Sequence, residues 1–131
     1  MPSLFSRIIS RELPAYIVAE DDKHIAFLDI NPNTLGHTLC IPKKEIDKLF
    51  DLKEIDYKDL MLFSRGVAMA IRKVTKCKRV GLSVIVLEVP HVHVHLIPLN
   101  EISDATFQTK ANISKEVMES ICKKIRTTFN Q

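Results

Sequence analysis

The sequence predicts an α+β fold, in which an antiparallel β-sheet of about five strands packs against one long helix and one C-terminal helix. Three observations support this prediction. Short segments rich in Val, Ile and Leu are separated by turn residues on both sides of the middle of the chain. The middle of the chain repeats its apolar residues every three or four positions, which is the period of an amphipathic helix. The last segment of the chain has the same period.

The first third of the chain predicts a short helix and then three strands. The helix covers about residues 3–10, and the strands cover residues 16–19, 24–30 and 37–41. Asp21, Asp22 and Lys23 form a turn between the first two strands, which therefore pair as a hairpin. Pro42 ends the third strand because proline has no N–H for the next hydrogen bond, and it can open a short helix over residues 43–50.

The long helix is predicted from Asp56, a favourable N-cap residue, to about Thr75, with Asp59 in its first turn. Its apolar residues form one stripe, which should pack on the sheet. The stripe consists of Leu60, Phe63, Val67, Ile71 and Val74.

Two late strands and a final helix complete the predicted fold. The strands cover residues 79–87 and 91–99, and Glu88, Val89 and Pro90 join them. Ser114, with Glu116 in the first turn, begins the last helix. The buried stripe of that helix is predicted to be Val117, Ile121, Cys122, Ile125 and Phe129.

Length and charge exclude several classes of protein. The 131 residues fit one domain, without repeats or Gly/Ser linkers. The 19 basic and 16 acidic residues give a net charge of +3 without a basic block, so no nucleic-acid partner is expected. No apolar run approaches the ~20 residues of a membrane span, and the N-terminus lacks a secretion signal, so we expect a cytoplasmic protein without a membrane partner. Three scattered cysteines predict reduced thiols.

A row of three histidines is the most informative feature for function. In an extended strand alternate side chains share a face, so the three histidines should lie on one face and the intervening aliphatic residues on the other. The histidines are His91, His93 and His95, and the aliphatic residues are Val92, Val94 and Leu96. Because the unperturbed pKa of imidazole is near neutrality, such a row suits nucleophilic attack, proton transfer or metal binding.

Three interpretations of the row are open at this point. Alternate residues lie roughly 6.6 Å apart along a strand, so two of the histidines can chelate a metal ion, whereas the outer two, about 13 Å apart, cannot easily meet. Glu88 or His37 could then complete a metal site. The histidines could also be merely exposed on an edge strand. In the third interpretation, a neutral imidazole attacks an electrophile such as phosphorus while its neighbours place protons and hold charge.

The third interpretation has support in a known family. The pattern His-apolar-His-apolar-His-apolar-apolar at residues 91–97 resembles the signature of the histidine triad (HIT) superfamily of nucleotide hydrolases and transferases. Upstream segments are similar in order and spacing to the Hint-like branch of that family, and they lie at 5–9, 12–15, 20–22, 26–32, 36–37 and 41–44. The resemblance covers residues 4–98, and residues 100–131 form a C-terminal extension with a helix.

The resemblance implies a HIT-like fold, a homodimer and a purine nucleotide as substrate. It implies that His93 attacks the α-phosphorus and forms a nucleotidyl-histidine intermediate. His95 would donate to phosphate oxygens and to the leaving group, and His91 would help to fix the phosphate. His37 matches the fourth histidine of the family, which fixes the tautomers of the triad. Neither a cofactor nor a metal ion is expected in the site.

The resemblance also assigns the nucleoside site. Asp29 would accept hydrogen bonds from both ribose hydroxyls, which predicts a preference for ribonucleotides. By its position alone Asp29 is equally a polar residue that caps a strand end. The base pocket would be lined by Phe5, Ile8, Phe27, Ile30 and Leu39, although each of these residues taken singly is also typical of a core.

Two features depart from the family pattern, and the C-terminal extension resembles no assigned part of it. Leu87 replaces the usual Gln before the triad and cannot hydrogen-bond, while Glu88 would be unfavourable beside a phosphate. Ser3 and Ser6 replace the Cys-x-x-Cys zinc half-site of some relatives, so we expect no structural zinc. Phe107 or the final helix could reach the active site of the dimer partner.

We therefore expect a hydrolase that releases AMP or GMP, and a nucleoside phosphoramidase is the first hypothesis. The alternatives are a dinucleoside polyphosphate hydrolase and a nucleotide-binding or interaction protein with little turnover.

Overall fold

The computed structural model describes residues 3–85 and 87–131. Its sheet has five antiparallel strands in the order β1-β2-β3-β5-β4. The strands are β1 (Ile17–Glu20), β2 (His24–Leu28), β3 (Thr38–Pro42), β4 (Arg79–Ser83) and β5 (Val94–Leu99). The helices are α1 (Leu4–Ile9), α2 (Glu54–Thr75) and α3 (Lys115–Phe129). The predicted α+β architecture with a long and a C-terminal helix is confirmed.

Two apolar clusters lie on the two faces of the sheet. One face packs against α2 and α3, where the predicted stripe of α2 is buried and its last residue, Val74, is partly buried. Burial of such a stripe stabilises a helix more than its intrinsic propensity does. On the other face Phe5 and Ile8 of α1 pack against β2 and β3. The histidine row belongs to this second face.

Several predicted boundaries are wrong. The proposed helix over 43–50 is absent, and only a 3₁₀ turn at Leu49–Asp51 forms. Helix α2 begins at Glu54 with Lys53 as the N-cap, so Asp56 lies in the first turn, where its charge suits the helix dipole. Helix α3 begins after Ser114 as predicted, but it buries Met118 rather than Val117.

The late strands are shorter than predicted. β4 ends at Ser83 instead of residue 87, and β5 begins at Val94 instead of residue 91. The end of β4 lies opposite the beginning of β5, because Ser83 pairs with His95. Residue 86 lies outside the described residues. None of the described helices is long and apolar enough to cross a membrane.

Candidate active site

The structure gathers the four predicted histidines in one cluster, in which His91 and His93 lie beside Phe5 of α1. His93 and His95 point to the α1 face, where the ring of Phe5 lies edge-on to His93 at 5.0 Å between centroids. Val92, Val94 and Leu96 belong to the opposite cluster under α2. The alternation predicted for residues 91–96 therefore holds, although the first three residues precede β5.

Hydrogen bonding fixes the tautomer of His93. Its Nδ1 atom lies 2.8 Å from the backbone oxygen of His91. A carbonyl only accepts, so Nδ1 must carry the proton. In the neutral ring this leaves the lone pair on Nε2, which is the atom available for nucleophilic attack.

A chain of hydrogen bonds fixes His37 and His95 in the same way. The backbone N–H of Asn33 donates to Nδ1 of His37 over 2.9 Å. The remaining proton of His37 therefore lies on Nε2, which donates to Nδ1 of His95 over 2.9 Å. His95 consequently keeps its own proton on Nε2. The sequence did not identify Asn33 as part of this chain.

Burial keeps both of these rings neutral. Burial, with the nearby charges of His95 and Lys110, lowers the pKa of His37 to about 3. Burial, with the charges of His93 and Lys110, lowers the pKa of His95 to about 4. Because both pKa values lie well below neutrality, His95 presents a neutral N–H donor at pH 7.

His91 is held from two sides. Its Nε2 donates to the backbone oxygen of Pro42 over 2.7 Å, so Nδ1 accepts from the hydroxyl of Ser3 over 3.0 Å. Glu45 accepts from the backbone N–H of Ser3 over 2.6 Å and from the hydroxyl of Ser6 over 2.9 Å. These bonds hold the pKa of Glu45 at about 2. Ser3 and Ser6 thus anchor α1 to the row.

Asp29 lies at the edge of the same cluster. Its Oδ1 accepts from the backbone N–H of Asn31 over 2.9 Å, which is the strand-end capping role considered for it. Its Oδ2 lies 3.6 Å from Nε2 of His37. Burial raises the pKa of Asp29, and Lys110 and His93 oppose that effect. Oδ2 of Asp29 thus faces the histidines, whereas Oδ1 is used in the turn.

Asp29, His37 and His95 could together hold a metal ion, because their ligand atoms all lie within 4.8 Å of one another. An ion there would have to replace the hydrogen bond between His37 and His95, whose nitrogens are 2.9 Å apart. Two imidazoles and a carboxylate suit a divalent transition metal. The proton chain and a metal ion are thus alternative uses of the same atoms.

Four of the five predicted base-pocket residues form one buried cluster, and the fifth does not. Phe5, Ile8, Phe27 and Leu39 pack against one another beside His93. These four residues are between 3% and 8% exposed. Ile30 is 81% exposed and does not join them, because it lies beyond the end of β2 in the turn that Asp29 caps.

The segment after β5 also reaches the histidines of its own chain. The ring of Phe107 lies edge-on to His95 at 5.0 Å and to His37 at 5.9 Å. Lys110 donates to Oδ1 of Asn33 over 2.8 Å. Neither Lys110 nor Glu45 was predicted as a site residue, since both act through contacts between residues far apart in the chain.

Leu87 and Glu88, which precede the row, are exposed, and Leu87 is 88% exposed. Leu87 therefore offers an apolar side chain to solvent.

Comparison with known proteins agrees with this geometry. The sequence model of the HIT domain matches residues 10–102. An uncharacterized HIT-like protein of Methanocaldococcus jannaschii is 39% identical over 105 residues, which cover 75% of this chain and 79% of the relative. Adenosine 5′-monophosphoramidase HNT1 of Saccharomyces cerevisiae is 36% identical over 96 residues, 72% of this chain and 61% of the relative.

A plant relative and a solved structure extend the comparison. Adenylylsulfatase HINT1 of Arabidopsis thaliana is 35% identical over 105 residues, 73% of this chain and 70% of the relative. The crystal structure of a Hit-like protein of Bartonella henselae superposes with a TM-score of 0.82 at 31% identity, and the match covers 96% of this chain and 95% of that one. The fold, the histidine row and these matches together show that the chain belongs to the histidine triad (HIT) family.

Proposed function

We propose that this protein hydrolyses conjugates of purine nucleoside monophosphates by attack of His93 on the α-phosphorus. One observation carries the proposal: the hydrogen bond from Nδ1 of His93 to the oxygen of His91, 2.8 Å long, frees the Nε2 lone pair. The neighbouring Nε2–H of His95, fixed through His37, supplies a donor for the phosphate or the leaving group.

The reaction proceeds in two steps. Nε2 of His93 forms a bond to phosphorus while the bond from phosphorus to the leaving group breaks. A leaving amine departs with one proton, which comes from solvent through Nε2 of His95. Water then attacks phosphorus, the bond to His93 breaks, and one proton returns to solvent. One water molecule is consumed per cycle, and AMP or GMP is released.

The carbonyl of His91 assists the first step. When Nε2 of His93 is bonded to phosphorus, the ring carries a positive charge and its Nδ1–H becomes a stronger donor. The backbone oxygen of His91, which accepts this hydrogen bond, stabilises the positive charge without having to move.

An amine is the leaving group that we favour. Two relatives are named adenosine 5′-monophosphoramidase and adenylylsulfatase, and both names imply cleavage next to an adenylyl group. A dinucleoside polyphosphate is the alternative substrate, for which a divalent cation commonly assists the phosphate leaving group. A nucleotide-binding role with little turnover is a further candidate, because exposed Leu87 cannot orient a leaving group.

We also propose that the protein is a homodimer. β4 is an edge strand of the described sheet, and edge strands expose unpaired N–H and C=O groups. Exposed apolar residues lie on β4, just after it and on α2. They are Leu82, Ile85 and Met69, and Met69 lines the same groove as Arg79 and Val80 of β4. Pairing of two edge strands would cover this surface.

Hydrolysis tests the proposed function directly. Wild-type protein, His93→Ala and the control His24→Gln are incubated with an AMP phosphoramidate and with diadenosine tetraphosphate, in chelator and then with magnesium. We expect AMP from the phosphoramidate in chelator, at least 10³-fold slower with His93→Ala and little changed with His24→Gln. AMP binding without release from either substrate would instead support the nucleotide-binding role.

A further inference from the structure

The C-terminal extension closes one end of the histidine row. Residues 102–105 form a short 3₁₀ helix, and the chain then turns back so that the N–H of Ala111 donates to the oxygen of Pro32 over 2.9 Å. Phe107 lies in this return segment with a φ of +63°, a conformation that bulky residues rarely adopt. That backbone places its ring on His95 and His37. Phe5 occupies the other end, beside His91 and His93.

Two contacts hold the ammonium group of Lys110 at the Phe107 end. Its Nζ donates to Oδ1 of Asn33 over 2.8 Å and lies 4.9 Å from the centroid of the Phe107 ring. Asn33 is 5% exposed, and its backbone N–H is the donor that fixes His37. The ammonium is therefore attached to the same residue as the proton chain. The hydrogen bond to Asn33 uses one of the three N–H donors of the Lys110 ammonium group.

The charges of the site make this cation important. His37 and His95 are only 0% and 8% exposed, and the contacts of Lys110 with Asn33 and Phe107 hold its positive charge at their end of the row. Asp29 contributes a carboxylate to the same cluster. A nucleotide phosphate would add further negative charge in a partly buried place, which is unfavourable without a compensating cation.

We propose that Lys110 binds the phosphate group of the substrate, as the cation at the Phe107 end of the histidine row. This proposal rests on the proposed function, which puts the phosphate between His93 and His95. Phe107 holds the lysine at that position.

Binding of adenosine and AMP isolates the phosphate contact. Both ligands are titrated by calorimetry against wild type, Lys110→Met, Lys110→Arg and Lys124→Met, all in chelator. Methionine keeps much of the aliphatic chain on the Phe107 ring but removes the charge. Lys124 lies exposed on α3, so its replacement is a control for the same loss of net charge.

We expect Lys110→Met to weaken AMP binding about tenfold, which corresponds to about 1.4 kcal/mol, and to leave adenosine binding within about twofold. Lys110→Arg should retain most of the AMP affinity, and Lys124→Met should behave like wild type. AMP binding unchanged in Lys110→Met, or an equal loss for adenosine and AMP, would overturn the assignment of Lys110. Failure of the wild type to bind AMP would overturn both this proposal and the proposed function.

Discussion

Nε2 of His37 lies 2.9 Å from Nδ1 of His95, and the N–H of Asn33 donates to the other nitrogen of His37. These two hydrogen bonds determine which ring nitrogen carries the proton in His37 and in His95. The proton of His37 lies between the two rings, and the proton of His95 is on the far nitrogen. His93 has the opposite tautomer, because its Nδ1 donates to a carbonyl. The row therefore presents a lone pair and an N–H donor side by side.

The first prediction concerns these tautomers. In protein labelled with ¹⁵N at histidine, long-range proton–nitrogen spectra at pH 7 should show the proton of His93 on Nδ1 and the proton of His95 on Nε2. His37→Leu should lower kcat by about 10²-fold, since His95 loses the partner that orients it. His37→Gln, whose amide can still donate, should lose less. A proton on Nδ1 of His95 in the wild type would contradict the proposed chain.

The second prediction separates positioning from stability. Ser3 caps α1 through its hydroxyl, which also contacts His91, whereas Ser114 caps α3 far from the row. Replacing either serine by alanine should cost about 1 kcal/mol of unfolding free energy. Only Ser3→Ala should also lower kcat, by several-fold, because His91 and its carbonyl are then held less firmly. Equal activity of the two variants would show that the Ser3 contact is structural only.

The third prediction is an acid-dependent loss of stability. His37 and His95 have folded pKa values of about 3 and about 4, below the value of 6.5 for an unfolded chain. Between these values the unfolded state binds more protons, so stability is full above pH 6.5 and falls as the pH decreases. The slope should be about 1.4 kcal/mol per pH unit for each histidine that stays neutral.

Urea denaturation of wild type and His37→Gln between pH 7 and 4.5 measures this effect. The difference in unfolding free energy between the two proteins should shift in favour of the variant as the pH falls, because the variant has one fewer buried neutral histidine. A difference that does not change with pH would mean that His37 does not titrate as the structure implies.

The fourth prediction concerns Asp29 and the sugar. If its free Oδ2 accepts from the ribose hydroxyls, an AMP phosphoramidate should be a better substrate than its 2′-deoxy analogue by about tenfold in kcat/KM. Asp29→Asn keeps an oxygen that can accept from the N–H of Asn31, so the turn should persist. The ratio of kcat/KM between the ribo and the 2′-deoxy substrate should become smaller in this variant. Comparable rates for the two sugars with the wild-type enzyme would reject this role of Asp29.

Periodicity predicted the parts of the fold that depend on local sequence. The buried stripe of α2 and the two faces of residues 91–96 follow from spacing alone. The position of a side chain along a helix or strand determines which face of that element it occupies. Spacing also predicted that His91, His93 and His95 lie together, and their catalytic roles stay predictions. His37 lies beside this row, but its assignment, like those of Asp29 and the apolar residues, depended on family resemblance.

Long-range contacts explain the errors. Residues 43–50 do not form a helix, because the N–H of Lys43 donates to Lys23 and the oxygen of Ile46 accepts from Val92. Strand β4 stops where its partner β5 begins. The contributions of Glu45 and Lys110 likewise come from partners 42 and 77 positions away. Single-sequence patterns contain no information on such pairs.

Covalent catalysis by His93 requires an adenylylated enzyme, which rapid quenching can trap. Wild type and His93→Ala are mixed with an AMP phosphoramidate, quenched within milliseconds in alkaline denaturant and digested, and the peptides are analysed by mass spectrometry. We expect an adenylyl group on His93 of the wild type, formed and lost at rates consistent with turnover, and none in the variant. An adduct on another residue, or AMP release by His93→Ala at the wild-type rate, would contradict covalent catalysis by His93.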